Sequence, residues 1–308
     1  MNKLFGLTLL LLMSVAKAAS FSFAAIGDVP YGAPKQLEQL ARQLNQQSIA
    51  FTVHVGDIKS GSSPCSDEYF LTVRELFDRF EQPLIYTPGD NEWTDCHRKS
   101  CGAYDPLERL EKIRSLFFST NESLGHHRLP LQVQSSEPRF SKFVENRRWA
   151  VENISFATLH LVGSNNNWQP ELPSVAEFAE REAANIAWLR ETFDYASRQQ
   201  HVAVVLAMQA DTFMSDAGAG IGLAPWLQAL REEVVRWNKP VLLIQGDTHM
   251  YRVDQPLKDN NGQPLRHLMR VVVPGERDID AVMVDVNPHN PREPFQVRRL
   301  FLSAAPAR

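Results

Sequence analysis

Residues 83–93, PLIYTPGDNEW, decide the fold. Leu84-Ile85-Tyr86 is an apolar run that stops at Pro88-Gly89 and hands over to Asp90, Asn91 and Glu92. Physically this is a buried strand ended by a tight turn, with a carboxylate and an amide at its tip. The same construction occurs three more times. Residues 23–26 run into Gly27-Asp28, residues 51–55 into Gly56-Asp57, and residues 241–244 into Gln245-Gly246-Asp247. With 15 Gly and 16 Asp in the chain, chance gives roughly one Gly-Asp pair and no preference for strand ends. All four pairs follow apolar runs, so the chain repeatedly delivers aspartates to strand tips.

Between these strands lie helical patterns. Leu37, Leu40, Ala41 and Leu44 follow Pro34 at three-and-four spacing, and Tyr69, Val73, Leu76, Phe77 and Phe80 share another helical side. The rhythm β-α-β-α-β implies parallel strands with helical crossovers, hence an α/β fold. In such sheets ligands bind beyond the carboxyl ends of the strands, the edge to which every Gly-Asp turn belongs. Further along, residues 119–147 read as a polar, irregular excursion over the site, carrying the loop histidines His126 and His127. Strands over 149–162 and 202–208, helices over 174–197 and 225–238, and a β-rich C-terminal part complete the expectation. It is a single domain over residues 19–308, an α/β sandwich with mixed sheets and flanking helices. His54 and His160, inside apolar strands, read as core histidines satisfied by hydrogen bonds.

The chain has 308 residues, 44% of them hydrophobic, and a net charge of -4. That balance disfavours a nucleic-acid partner. Lys3, an apolar stretch over 4–15 and Ala16-Lys17-Ala18 read as a signal peptide over residues 1–18, cleaved after Ala18. A dozen apolar residues are too few to span the ~30 Å of a bilayer core, so no stable membrane anchor is expected. The protein is therefore expected to be exported, to a periplasm or the exterior. Oligomeric state is not legible. Export makes a disulfide plausible among Cys65, Cys96 and Cys101. Cys65 with Cys96 is favoured, because it ties the loops after the second and third Gly-Asp strands. Spacing alone leaves the other pairings open.

Aspartates gathered at one sheet edge repel one another unless a cation compensates. Asp28, Asp57, Asp90 and Asp247 therefore ask for a divalent metal. His249, two residues beyond Asp247, adds a nitrogen ligand, and Gln209, at the end of its own strand, adds an amide oxygen. Six ligands suit two metals that share a carboxylate, clamp a phosphate and activate water. Lys59, Asn165 and Asn166, on loops following the same edge, are candidates for substrate contact.

The order of these motifs resembles the calcineurin-like metallophosphoesterase superfamily over nearly the whole mature chain. Gly27-Asp28 is similar to that family's first motif, 56–61 (GDIKSG) to its second, 89–92 (GDNE) to its GNH[DE], and 246–249 (GDTH) to its GHxH. The resemblance implies a di-metal phosphoesterase acting on phosphate mono- or diesters of small molecules, with Asp57 bridging the metals. Asp90 stands at the family's metal-binding Asn, Gln209 at a metal-binding His, and Asp247 at the first His of GHxH. Two departures concern catalysis. Pro30 occupies the position of a ligand His, with Tyr31 beside it. Asn91 replaces the His that protonates the leaving group, leaving His97 as a substitute acid and Glu92 to orient Asn91 or a water. The swaps run from nitrogen to oxygen, and oxygen-rich sites favour Mn²⁺ or Mg²⁺, admit Ca²⁺ and suit Zn²⁺ less. The alternative is a relative with impaired catalysis that binds a phosphorylated ligand or partner.

Overall fold

Alternation along the first strand sets the layering. β1 (Phe21–Ile26) sends Phe23 and Ala25 to one face and Ala24 and Ile26 to the other, and both faces are buried. A computed structural model describes residues 18–168, 174–214 and 220–303; the expected signal segment, apart from Ala18, lies outside them. β1 pairs in parallel with β2 (Thr52–His54), and β2 with β3 (Leu84–Tyr86). On the other side β11 (Ala281–Val286) runs antiparallel to β1, and β12 (Phe295–Leu300) antiparallel to β11. The sheet order is β12-β11-β1-β2-β3.

A second sheet has the order β4-β5-β6-β7-β8-β10-β9. Its strands are β4 (Gln132–Val133), β5 (Arg147–Val151), β6 (Ile154–Thr158), β7 (Ala203–Ala207), β8 (Val241–Gln245), β9 (Arg252–Asp254) and β10 (Leu268–Val272). The four inner strands β6, β7, β8 and β10 are parallel, while β5 and β9 run antiparallel at the flanks. Phe23, Phe51, Trp149 and Phe156 interlock between the two sheets, with Phe51 edge-on to both Trp149 and Phe156. Aromatic edge-to-face pairs of this kind add to the area they bury.

Helices cover the outer faces. α1 (Pro34–Leu44), α2 (Asp67–Phe77) and α3 (Pro106–Phe117) pack Leu37, Leu40, Phe70, Phe77 and Ile113 onto the first sheet. α5 (Ser174–Arg198) and α6 (Ala224–Trp237) pack Trp188, Leu189, Phe193, Trp226 and Leu230 onto the second. The chain is thus an α/β sandwich with mixed sheets and helices on both outsides, as its pattern implies. Among the described residues no helix is long and apolar enough to cross a membrane.

The stretch 119–147 departs from expectation. Leu124 bridges Leu84, and the amides of His126 and His127 donate to the carbonyls of Phe80 and Glu81. These contacts lie at the amino end of β3, away from the Gly-Asp tips. Leu124, Leu131, Val133, Phe140 and Phe143 are buried, and this interspersed apolar content makes the stretch an edge cover rather than a lid.

Candidate metal centre

Each Gly-Asp pair leaves its strand through a sharp turn. Asp28, Asp57 and Asp247 have φ of 54°, 56° and 71°, the left-handed region that Asp tolerates better than most residues. This bend turns the carboxylate away from the strand direction and towards the gap between the sheet edges. The loop after β6, including the short turn α4 (Gly163–Asn166), enters the same gap, with Ser164 to Asn167 all at positive φ. A disulfide between Cys65 and Cys96 ties the loops after β2 and β3, with Cα atoms 5.8 Å apart. Both its sulfurs lie 3.8 Å from the Asn91 carbonyl oxygen, and Cys101 is left as a buried thiol.

Two groups of side chains could each hold a cation. Asp28, Asp57 and His249 form one, and Asp57, Asp90 and Asp247 the other, with ligand atoms in each group within 4.8 Å of one another. Asp57 belongs to both. Asp28, Asp57 and Asp90 are buried and Asp247 is half-buried. Burial raises the carboxyl of Asp28 against the opposing pull of His249. Burial, reinforced by Asp90, Glu92, Asp28 and Asp247, raises Asp57 well above its ordinary range. Asp247 is pushed up to about 7 by burial and by Asp90 and Asp28. Carboxyls driven this way are short of positive charge.

The residues fit a pair of metals on two further grounds. Asp28 Oδ2 and His249 Nε2 are buried without a hydrogen-bond partner, although His249 Nε2 is only 3.4 Å from Asp28 Oδ1. Orphaned polar atoms of this kind are rare unless something else satisfies them. Glycines also keep the gap open. A Cβ on Gly163 would stand 2.6 Å from Asp247 Oδ1 and 2.9 Å from Asp90 Oδ1, and one on Gly246 would stand 2.7 Å from Asp28 Oδ2. The set of four carboxylates and one imidazole is a hard, oxygen-rich donor set.

Other expected site residues are placed differently. Gln209 reaches the carboxylates, but with its nitrogen: Nε2 donates to Asp90 Oδ1 (3.0 Å) and Asp247 Oδ1 (3.3 Å), while Oε1 accepts from the Gly163 amide at 2.5 Å. Turning its oxygen towards the metals would set two donors against each other at Gly163. In this arrangement it clamps the loop after β6 to Asp90 and Asp247. Lys59 is fully buried, its ammonium donating to the carbonyls of Ser60 (2.7 Å) and Asn91 (2.8 Å), so it cannot meet a substrate. Burial lowers its pKa. Asn166 is buried and spent on Glu182, Gly222 and Arg181. Asn165 accepts the Gly222 amide at 2.9 Å. His97 is exposed, with Nδ1 on the Thr94 carbonyl at 2.7 Å, and no hydrogen bond among the described residues joins it to the carboxylates.

Asn91 and Glu92 do sit at the centre. Asn91 Nδ2 donates to Asp57 Oδ2 (2.6 Å) and to the Tyr31 hydroxyl (2.9 Å). Glu92 is fully buried, and its Oε1 accepts from the amides of Asp57 and Gly89 and from the Tyr86 hydroxyl. It orders the two loops, with its Oε2 buried and unpartnered, and burial pushes it up to about 7. Sequence reasoning missed Ser164, whose hydroxyl donates to Asp90 Oδ2 at 2.7 Å. A serine in a polar loop carries no signal that distinguishes it from its neighbours.

No family model and no curated protein sequence matches the chain. Solved structures do. A dimetal phosphatase from Danio rerio superposes with a TM-score of 0.54 at 14% identity, covering 92% of this chain and 99% of its own. PhoD superposes at 0.58 and 13% identity, over 89% of this chain and 65% of its own. The purple acid phosphatase PPD1 from yellow lupin does so at 0.53 and 11% identity, over 92% of this chain and 54% of its own. At such identities the likeness speaks to architecture, and the motif order read from the sequence agrees with it: the chain has the calcineurin-like metallophosphoesterase fold.

Proposed function

We propose that the protein is an exported, metal-dependent phosphoesterase, a single domain over residues 19–308 behind a signal peptide, hydrolysing phosphate mono- or diesters of small molecules. The observation that carries this reading is the pair of acidic triads sharing Asp57 at the strand tips of a fold whose solved relatives include phosphatases. Asp28, Asp57 and His249 would hold one divalent ion, and Asp57, Asp90 and Asp247 the other. When bound, the pair would neutralise a phosphoryl group and make a water acidic enough to attack it near neutral pH. Asn91, through its bonds to Asp57 and Tyr31, holds the carboxylate common to both groups in orientation. Gln209 and Ser164 fix Asp90 and Asp247, and Glu92 fixes the backbone of Asp57. The hard donor set favours Mn²⁺ or Mg²⁺, with Ca²⁺ a weaker and Zn²⁺ the poorest activator.

One observation favours a second reading. Asn91 has no proton to give near neutral pH, and Tyr31 is raised far above its usual range by burial and by Asp57 and Asp28. A site without a general acid loses part of its rate, and a protein that binds a phosphorylated ligand without turning it over would tolerate that loss. Hydrolysis of p-nitrophenyl phosphate and bis(p-nitrophenyl) phosphate with Mn²⁺, Mg²⁺, Ca²⁺ and Zn²⁺ in turn separates the two. Activated esters need little help from an acid, so turnover with Mn²⁺ or Mg²⁺ is expected. Metal binding without turnover under any ion would support the binding protein instead.

A further inference from the structure

A phosphoryl group approaching this centre meets carboxylates, and neither Asn91 nor Gln209 brings a positive charge. The 3₁₀ turns that follow Asp90 return one cation to the rim. Arg98 is 45% exposed, and its Nη1 is fixed by the Gly61 carbonyl at 2.9 Å and by Asp95 Oδ2 at 2.6 Å. Its Nε and Nη2 make no hydrogen bond or ion pair among the described residues. The anchored end of the guanidinium lies beside Asn91. A Cβ placed on Gly61 would lie 2.8 Å from Asn91 Oδ1 and 2.9 Å from Arg98 Nη1. The amide of Asn91, the anchored Nη1 of Arg98 and Asp95 Oδ2 (3.1 Å from that Cβ) therefore share one narrow gap above Gly61. The opposite end of that amide is bonded to Asp57, the carboxylate common to both triads.

We infer that Arg98 is the anion-recognising side chain of this site, and that it biases the site towards phosphomonoester dianions over diesters. The inference rests on the metal-centre reading above. An arginine with one edge anchored and the other open presents planar donors that match phosphoryl oxygens. A monoester keeps two negative charges on those oxygens where a diester keeps one, so a rim cation contributes more to the monoester. Asp95 supports this arrangement: its side chain is only 5% exposed and holds Nη1, so the guanidinium does not swing freely.

The test uses the full mature chain. Mn²⁺ is titrated first, then inorganic phosphate into the Mn²⁺-loaded protein, for the wild type, R98Q and R98K. R98Q is expected to bind Mn²⁺ as the wild type does and phosphate about 10- to 100-fold more weakly, the range of charged hydrogen bonds. R98K, which keeps the charge and loses the fork, is expected to fall between, and it decides the matter if R98Q does not fold. Where the ester assay shows turnover, R98Q should lower kcat/KM for p-nitrophenyl phosphate more than for the bis-ester. Unchanged phosphate affinity in R98Q, or a loss of Mn²⁺ affinity as large as that of phosphate, would overturn the role of Arg98. A wild type that binds no Mn²⁺ would instead remove the metal-centre reading beneath it.

Discussion

Asp57 lies in both triads, and its carboxylate accepts from Asn91 through both oxygens, at 3.2 Å from its amide and 2.6 Å from its side chain. Replacing one of its oxygens by an amide nitrogen puts a donor against Asn91 and removes the shared charge. Asp57→Asn is therefore expected to abolish Mn²⁺ binding and ester hydrolysis together; two metals still bound by calorimetry would remove its bridging role. Ser164 acts one step away, through its 2.7 Å bond to Asp90 Oδ2. Groups that orient ligands commonly govern affinity, so Ser164→Ala should weaken Mn²⁺ binding by about 10-fold while the far-UV spectrum stays unchanged. An unaltered titration curve would show that the hydroxyl does not hold Asp90 in place. The two residues differ in legibility. Asp57 announces itself by following an apolar run and a glycine, whereas Ser164 is found only once the loop after β6 is seen to fold back on the tip of β3.

At the scale of elements, the tips of β2 and β3 rest on side chains that the sequence presents as functional or neutral. Lys59, expected at the surface, instead joins the Ser60 and Asn91 carbonyls from below. Its loop follows the Gly-Asp edge, which suggested substrate contact, but nothing in the local sequence shows that the loop closes over it. Lys59→Met should destabilise the fold by about 2–4 kcal/mol, since it strands two carbonyls, one of them reached by a wholly buried ammonium. It should leave the KM for p-nitrophenyl phosphate little changed in whatever protein folds. A raised KM at normal stability would return Lys59 to the substrate. His54, in contrast, was legible: an imidazole inside an apolar strand must be satisfied internally. Gly56 donates to its Nδ1 and its Nε2 donates to the Val29 carbonyl, so the neutral ring is complete, and burial lowers its pKa to about 4. In the unfolded chain the ring protonates below about 6.5. The folded state is penalised wherever only the unfolded state takes the proton, so this contribution is fully present above pH 6.5. It is lost as pH falls from about 6.5 towards 4, by about 3 kcal/mol in all. Urea midpoints measured at pH 7 and pH 4.5 should diverge less in His54→Gln than in the wild type. Equal divergence would show that other groups set the acid limit.

For the whole molecule, the motifs foretold more of the architecture than of the chemistry at its centre. Four apolar runs ending in Gly-Asp were enough to imply parallel strands and an α/β sandwich, because periodicity and turn chemistry are local properties of the chain. The fourth tip, Gly246-Asp247, belongs to the second sheet and meets the other three across the gap. Gln209 was placed at the right spot, but its bonds, like those of Asn166 and the stretch 119–147, depend on which loops meet across the sandwich. Gln209 faces Asp90 from 119 residues away, and such contacts leave no local trace. The same separation of local and long-range terms governs stability. The two sheets are held together by their aromatic interior, yet the centre adds a strain of its own. Four carboxylates converge there, and three of those aspartates, with His249, hold left-handed backbone. A cation relieves that convergence only in the folded state, so it must stabilise the fold by mass action, by about 2.7 kcal/mol at a free concentration 100 times its Kd. Thermal unfolding is therefore expected to shift upwards as Mn²⁺ is added, to keep rising with the logarithm of its concentration, and to reverse on chelation. Asp57→Asn should show no such rise. A wild-type midpoint indifferent to Mn²⁺, Mg²⁺ and Ca²⁺ alike would mean that the carboxylates balance their charge by protonation alone.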